Sequence, residues 1–146
     1  MKQVFSTMLT DSKSSDVEGV GALRYGENGE VYRWVQNDES ATTLAVGDAA
    51  CHVFTDGTSM LQNVKIPATA NLSALGGIVV STSIPPSYYG WIQVAGICPS
   101  VKMMVPTAAV RAAGGTFKPV DAVTYLDLDN AAGTAPIYKR MVQLLE

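Results

Sequence analysis

The chain has 146 residues, 47% of them apolar and only 16% charged, with 10 Lys and Arg against 13 Asp and Glu for a net charge of −3. That length suits one domain and makes a second independent core unexpected. Counterion release from phosphates needs clustered Lys and Arg, which are absent, so no nucleic-acid partner is expected, and no apolar run reaches the length of a membrane helix, so no membrane partner is expected either.

The charged fraction lies below the roughly 25% usual for globular chains, which predicts that part of the surface is covered by a partner. The segment Met1 to Leu9 has one positive charge and no apolar core suited to a signal peptide, so synthesis without export by the general pathway is expected. Cys51 and Cys98 are too few for a disulfide framework and are read as free, buried thiols.

Residues 1–21 are polar and rich in Ser, Asp and Thr, with Val4, Phe5, Met8, Leu9, Val17 and Val20 scattered among them. They suggest an N-terminal arm, or a frayed terminus, ahead of a β domain at 22–146. From Leu23 to Val35, Asn28-Gly29 sits between two alternating runs. Asn-Gly suits a two-residue type I′ turn, which predicts a hairpin pairing Tyr25 with Tyr32, Arg24 with Arg33 and Leu23 with Trp34. Leu23, Tyr25, Tyr32 and Trp34 would then form a core face, and the opposed Arg24 and Arg33 would either splay into solvent or call for an acidic partner.

Leu44 to Asp48 leads into a strand at Ala49 to Phe54, closed by a turn at Thr55-Asp56-Gly57-Thr58. Met60 to Ile66 alternates weakly and stops at Pro67; Ala68 to Leu75 fits a helical turn or a loop. Ile78 to Ile84 is a β-branched strand ended by Pro85-Pro86. Tyr88 to Gly96 carries bulk on both faces and predicts a central strand. Val101 to Val105 and Asp121 to Leu128 are shorter pieces set off by turn residues. Residues 137–145 fit a helix or a strand, and the strand is preferred because β edges need partners. The expected class is mainly β: a single-domain antiparallel sandwich or small barrel with an extended N-terminal arm.

No catalytic, cofactor or metal site emerges. His52, the sole histidine, adjoins Cys51, but neighbours in a strand point to opposite faces and cannot form a nucleophile–base pair. Two separated cysteines and one histidine do not make a zinc site. Asp127-Leu-Asp129-Asn130 opens like a calcium loop but lacks its glycine and closing glutamate. Gly19-Val-Gly21 lacks the third glycine of a dinucleotide fingerprint. Tyr88, Tyr89 and Trp91 could serve as a sugar-stacking platform, as interface anchors or as core.

The order of Glu30-Val-Tyr-Arg-Trp-Val35, Leu44-Ala-Val-Gly-Asp48 and Tyr89-Gly-Trp-Ile-Gln-Val-Ala-Gly96 resembles the head decoration, or cement, proteins of tailed bacteriophages. The likeness covers about residues 20 to 100 and carries no catalytic residues. It implies a non-enzymatic virion protein, made in the host cytoplasm, that binds the outside of the major capsid protein shell as a homotrimer and needs no cofactor. The interface residues expected are Phe5, Arg24, Arg33, Tyr88 and Tyr89. A small carbohydrate-binding β module is the alternative expectation.

Overall fold

The computed structural model describes residues 4–53, 62–72, 74–103 and 117–128. Every regular element among them is a strand: β1 (Ser12–Lys13), β2 (Leu23–Tyr25), β3 (Val31–Asn37), β4 (Leu44–Ala45), β5 (Ala49–His52), β6 (Asn63–Lys65), β7 (Leu75–Val79), β8 (Ser83–Ile84), β9 (Tyr89–Ala95), β10 (Phe117–Pro119) and β11 (Leu126–Leu128). The expected turn after Phe54, the end of the strand expected from Val101 to Val105 and the C-terminal piece at 137–145 lie outside the described residues.

Five strands close on themselves in the order β9-β7-β5-β6-β3, and β3 returns to β9. The fold is therefore a small β-barrel, one of the two architectures that the short, turn-punctuated strands suggest. All its pairings are antiparallel except β3 with β6. β1 and β2 are extra strands that extend the sheet along β9 and β3.

Alternation along the strands divides the apolar residues into separate cores. Val35, Ala50, Val64, Val79 and Ile92 pack together with Leu44 and Ile84, which belong to the paired strands β4 and β8. This inner core extends to where β3 ends and β9 begins, because the Asn37 amide donates to the Thr42 and Ile84 carbonyls there. Gly90 belongs at this point: a Cβ would come within 2.6 Å of the Ile84 side chain. A second core of Ala49, Ile78, Phe117 and Leu126 joins β5 and β7 to the β10–β11 pair. Lys102 ties the neighbouring segment down by an ion pair of 2.6 Å with the buried carboxylate of Asp48. Cys51 and Cys98 are both unpaired, the first buried and the second half-buried, and burial pushes the Cys51 thiol up to about 12.

One expected strand is rearranged. The run from Ile78 to Ile84 is broken into β7 and β8 because the N–H groups of Val80 and Ser81 both donate to the Trp91 carbonyl. Two residues facing one is the signature of a bulge, and it turns the chain out of the barrel wall. Residues 68–72, open between helix and loop in the sequence, form consecutive turns.

The hairpin is where expected, but its register is shifted by one. The observed partners are Leu23 with Arg33, Arg24 with Tyr32 and Tyr25 with Val31. Gly26 N–H donates to the Glu30 carbonyl, so the loop has three residues and Gly29 is its last, at φ 86°. That is the three-residue hairpin closed by a left-handed glycine, in place of the two-residue turn. The consequence is large because strand faces alternate. Arg24 and Arg33 are not opposed; they project from opposite faces of the sheet, and Tyr25, expected in a core face, is 72% exposed.

Candidate functional site

The outer face of β3 and β9 is an aromatic wall. Trp34 and Trp91 are ladder partners, their rings 5.1 Å apart at 59°, and Tyr89 stacks on Trp34 at 6.4 Å and 14°. Both indoles are completely buried although they lie outside the barrel. Residues 4–21 are what cover them. Instead of extending away as an arm, the described part of this segment is laid across the wall as an N-terminal layer, and β1 joins the edge of β9 through Ser12–Gly90 and Lys13–Tyr89.

Polar bonds fix the layer in register. The Trp91 indole N–H donates to the Thr7 hydroxyl at 2.9 Å, and the Trp34 indole N–H donates to the Asp16 carboxylate at 3.0 Å. Buried indoles need such partners, so each tryptophan is satisfied by the segment that shields it. Asp16 also accepts the N–H groups of Gly19 and Val20 at the turn leading to β2, where Gly19 and Gly21 have φ of 84° and 91°. Glu18 accepts from the Ser6 hydroxyl, the Thr7 N–H and the Thr7 hydroxyl. Partial burial raises the Glu18 pKa, but the hydrogen bonds from Thr7 and Ser6 together outweigh it and leave it below the ordinary carboxylate value. The Ser81 hydroxyl donates to the Leu9 and Asp11 carbonyls, and Thr82 N–H donates to the Thr10 carbonyl.

Phe5 meets Trp91 edge-on at 5.3 Å, and Arg24 reaches over the same Phe5 ring at 5.4 Å while donating to the Thr7 carbonyl. The structure thus brings Phe5, Arg24 and Tyr89 together, each engaged with this chain's own residues. Arg33 projects from the other face, towards the barrel interior. Tyr88 stands 39% exposed in the turn before β9. Tyr88, Tyr89 and Trp91 do not form one open strip, since Trp91 is buried and Tyr89 stacks on Trp34.

The outer surface of the layer is unexpectedly apolar. Val4 is 88% exposed, Met8 72% and Val17 45%, on a segment that the Thr7, Asp16 and Glu18 side chains hold in place. From residue 4 to residue 30 the carboxylates Asp11, Asp16, Glu18, Glu27 and Glu30 outnumber the cations Lys13 and Arg24, so this region is also acidic. Sequence reasoning noted the scattered apolar residues of the segment but not that Thr7, Asp16 and Glu18 would fix it and leave Val4, Met8 and Val17 outward.

Among the described residues there is no cluster of three or more His, Cys, Asp or Glu side chains able to hold a metal ion, and no helix long and apolar enough to cross a membrane. No protein-family model matches the chain, and no curated protein or solved structure matches it.

Proposed function

We propose that this chain is a non-enzymatic structural protein of a virion, one that binds the outside of a bacteriophage capsid and stabilises the shell. The observation that carries the reading is the outward set of Val4, Met8 and Val17 on an N-terminal layer already fixed in place. Large apolar side chains exposed on an ordered segment suit a protein contact site. A layer ordered before contact loses little conformational entropy on docking. The resemblance of Glu30 to Val35, Leu44 to Asp48 and Tyr89 to Gly96 to phage decoration proteins supplies the identity of the partner, the major capsid protein, and of the assembly, a homotrimer.

Binding only to the assembled shell would stabilise it by linkage, and symmetric self-association would present several such layers at once. The carbohydrate-module alternative needs Tyr88, Tyr89 and Trp91 as an open platform, which the burial of Trp91 and the stacking of Tyr89 on Trp34 do not favour.

The test is the solution mass of the purified protein, followed by cosedimentation with undecorated phage heads. The reading predicts a trimer that pellets with heads, and a Met8→Asp variant that stays largely in the supernatant while keeping its fold. A monomer that leaves heads undecorated would overturn it.

A further inference from the structure

We propose that the inward face of the barrel wall where Arg33 and His52 lie is a binding site for a carboxylate, supplied by a partner's side chain or by a small free acid. The inference stands apart from the capsid reading, since it rests on the opposite face of β3 from the aromatic wall.

The ladder places both groups on the interior side. His52 opposes Val64, an inner-core residue, so its imidazole shares the inward face while Cys51 and Lys65 take the other. Arg33 opposes Ile92 and precedes Val35 by two, which puts it on the same inward face. The two therefore share the side of the sheet that carries Val35, Val64 and Ile92. Gly76 lets the imidazole lie flat against its backbone, because a Cβ there would come within 3.0 Å of His52 Nε2.

Both groups keep unused hydrogen-bonding capacity. His52 is only 4% exposed, yet its Nδ1 has no hydrogen-bond partner. A buried ring nitrogen left in this way is uncommon in a native fold. Lys13, Lys65 and Lys102 pair with Asp11, Asp38 and Asp48, whereas among the described residues the half-buried Arg33 meets neither a carboxylate nor a hydrogen-bond acceptor. Arg24, by contrast, is fully engaged on the other face. A planar guanidinium without a partner among the described residues, on the same face as a buried imidazole whose Nδ1 is unpaired, matches a planar carboxylate, which takes two parallel bonds from arginine.

Proton binding supports the assignment. Burial first, and the positive charge of Arg33 second, hold His52 below its ordinary value, against a smaller opposing effect from the Asn63 backbone. A bound carboxylate would neutralise Arg33 and favour the imidazolium. Carboxylate and proton therefore bind with positive, reciprocal coupling.

His52 is the only histidine, so its imidazole resonances can be followed alone by two-dimensional nitrogen–proton NMR. The full chain is titrated with sodium acetate at constant ionic strength against chloride. The expected result is a saturable shift of the His52 signals and a pKa raised by about half a unit or more, both lost in Arg33→Gln. Should that variant fail to fold, Arg33→Lys keeps the charge without the paired donors, and the acetate midpoint should rise by roughly tenfold. A capped peptide bearing one glutamate separates the sources: tighter binding than acetate assigns a partner's side chain, and equal binding assigns a free acid. A linear, non-saturating response, or one unchanged in both variants, would overturn the site.

Discussion

Thr7 is the residue on which the N-terminal layer depends most. Its hydroxyl accepts from the Trp91 indole and donates to Glu18, so one small side chain satisfies a buried donor and anchors a carboxylate. Thr7→Val keeps the shape but leaves the indole N–H unsatisfied, a loss of about 1–3 kcal/mol. Urea unfolding should show a lower midpoint with an unchanged slope; an unchanged midpoint would mean that water replaces the hydroxyl. His52 makes a prediction with a definite sign. Its folded pKa is below the ordinary 6.5, so the unfolded chain binds more protons on acidification. The stability it contributes is complete above its unfolded value and is lost as the pH falls from there through the lowered folded value. Urea midpoints should therefore drop between about pH 7 and pH 5, and His52→Gln should flatten that drop. An identical slope in the variant would assign the pH dependence to carboxylates.

At the scale of elements, the N-terminal layer behaves as a wall of the domain. Deleting residues 4–18 would strip Trp34 and Trp91 of their cover and of both indole acceptors. Each ring hides about 150–250 Å² from water, so the deletion variant should show red-shifted tryptophan emission, dye binding and a strong loss of stability. Native emission and stability would mean that the segment is a dispensable arm. The sequence does not reveal this wall because its bonds are long-range and polar: Thr7 to Trp91 spans 84 residues, and Asp16 to Trp34 spans 18. No local periodicity records such contacts. The strand from Tyr89 to Ala95 was legible because bulky residues occupy both of its faces, which a buried strand requires. The hairpin was legible in place but not in register, since Asn28-Gly29 is compatible with two loop lengths: Gly29 is left-handed in both, and the type I′ turn would also need Asn28 at positive φ, which it does not adopt. The two-residue strands β1, β4 and β8 are too short to show alternation at all.

For the whole molecule, a barrel closed through β3 and β9 provides a rigid support, and the layer on its outer wall presents apolar and acidic groups from an already ordered surface. Such a surface fits a partner depression with an apolar floor and a basic rim, so raising the salt concentration should slow its association more than its dissociation. Self-association multiplies the contact, and a shell decorated at many joints gains stability at each of them. The most direct measurement is the thermal disruption of undecorated phage heads, followed by light scattering or release of packaged DNA, with increasing amounts of the purified protein. The account predicts a disruption temperature that rises with the native protein and saturates once the binding positions are filled, and that stays at the undecorated value when the Met8→Asp variant is added instead. A disruption temperature independent of added protein, with heads remaining bare, would contradict it.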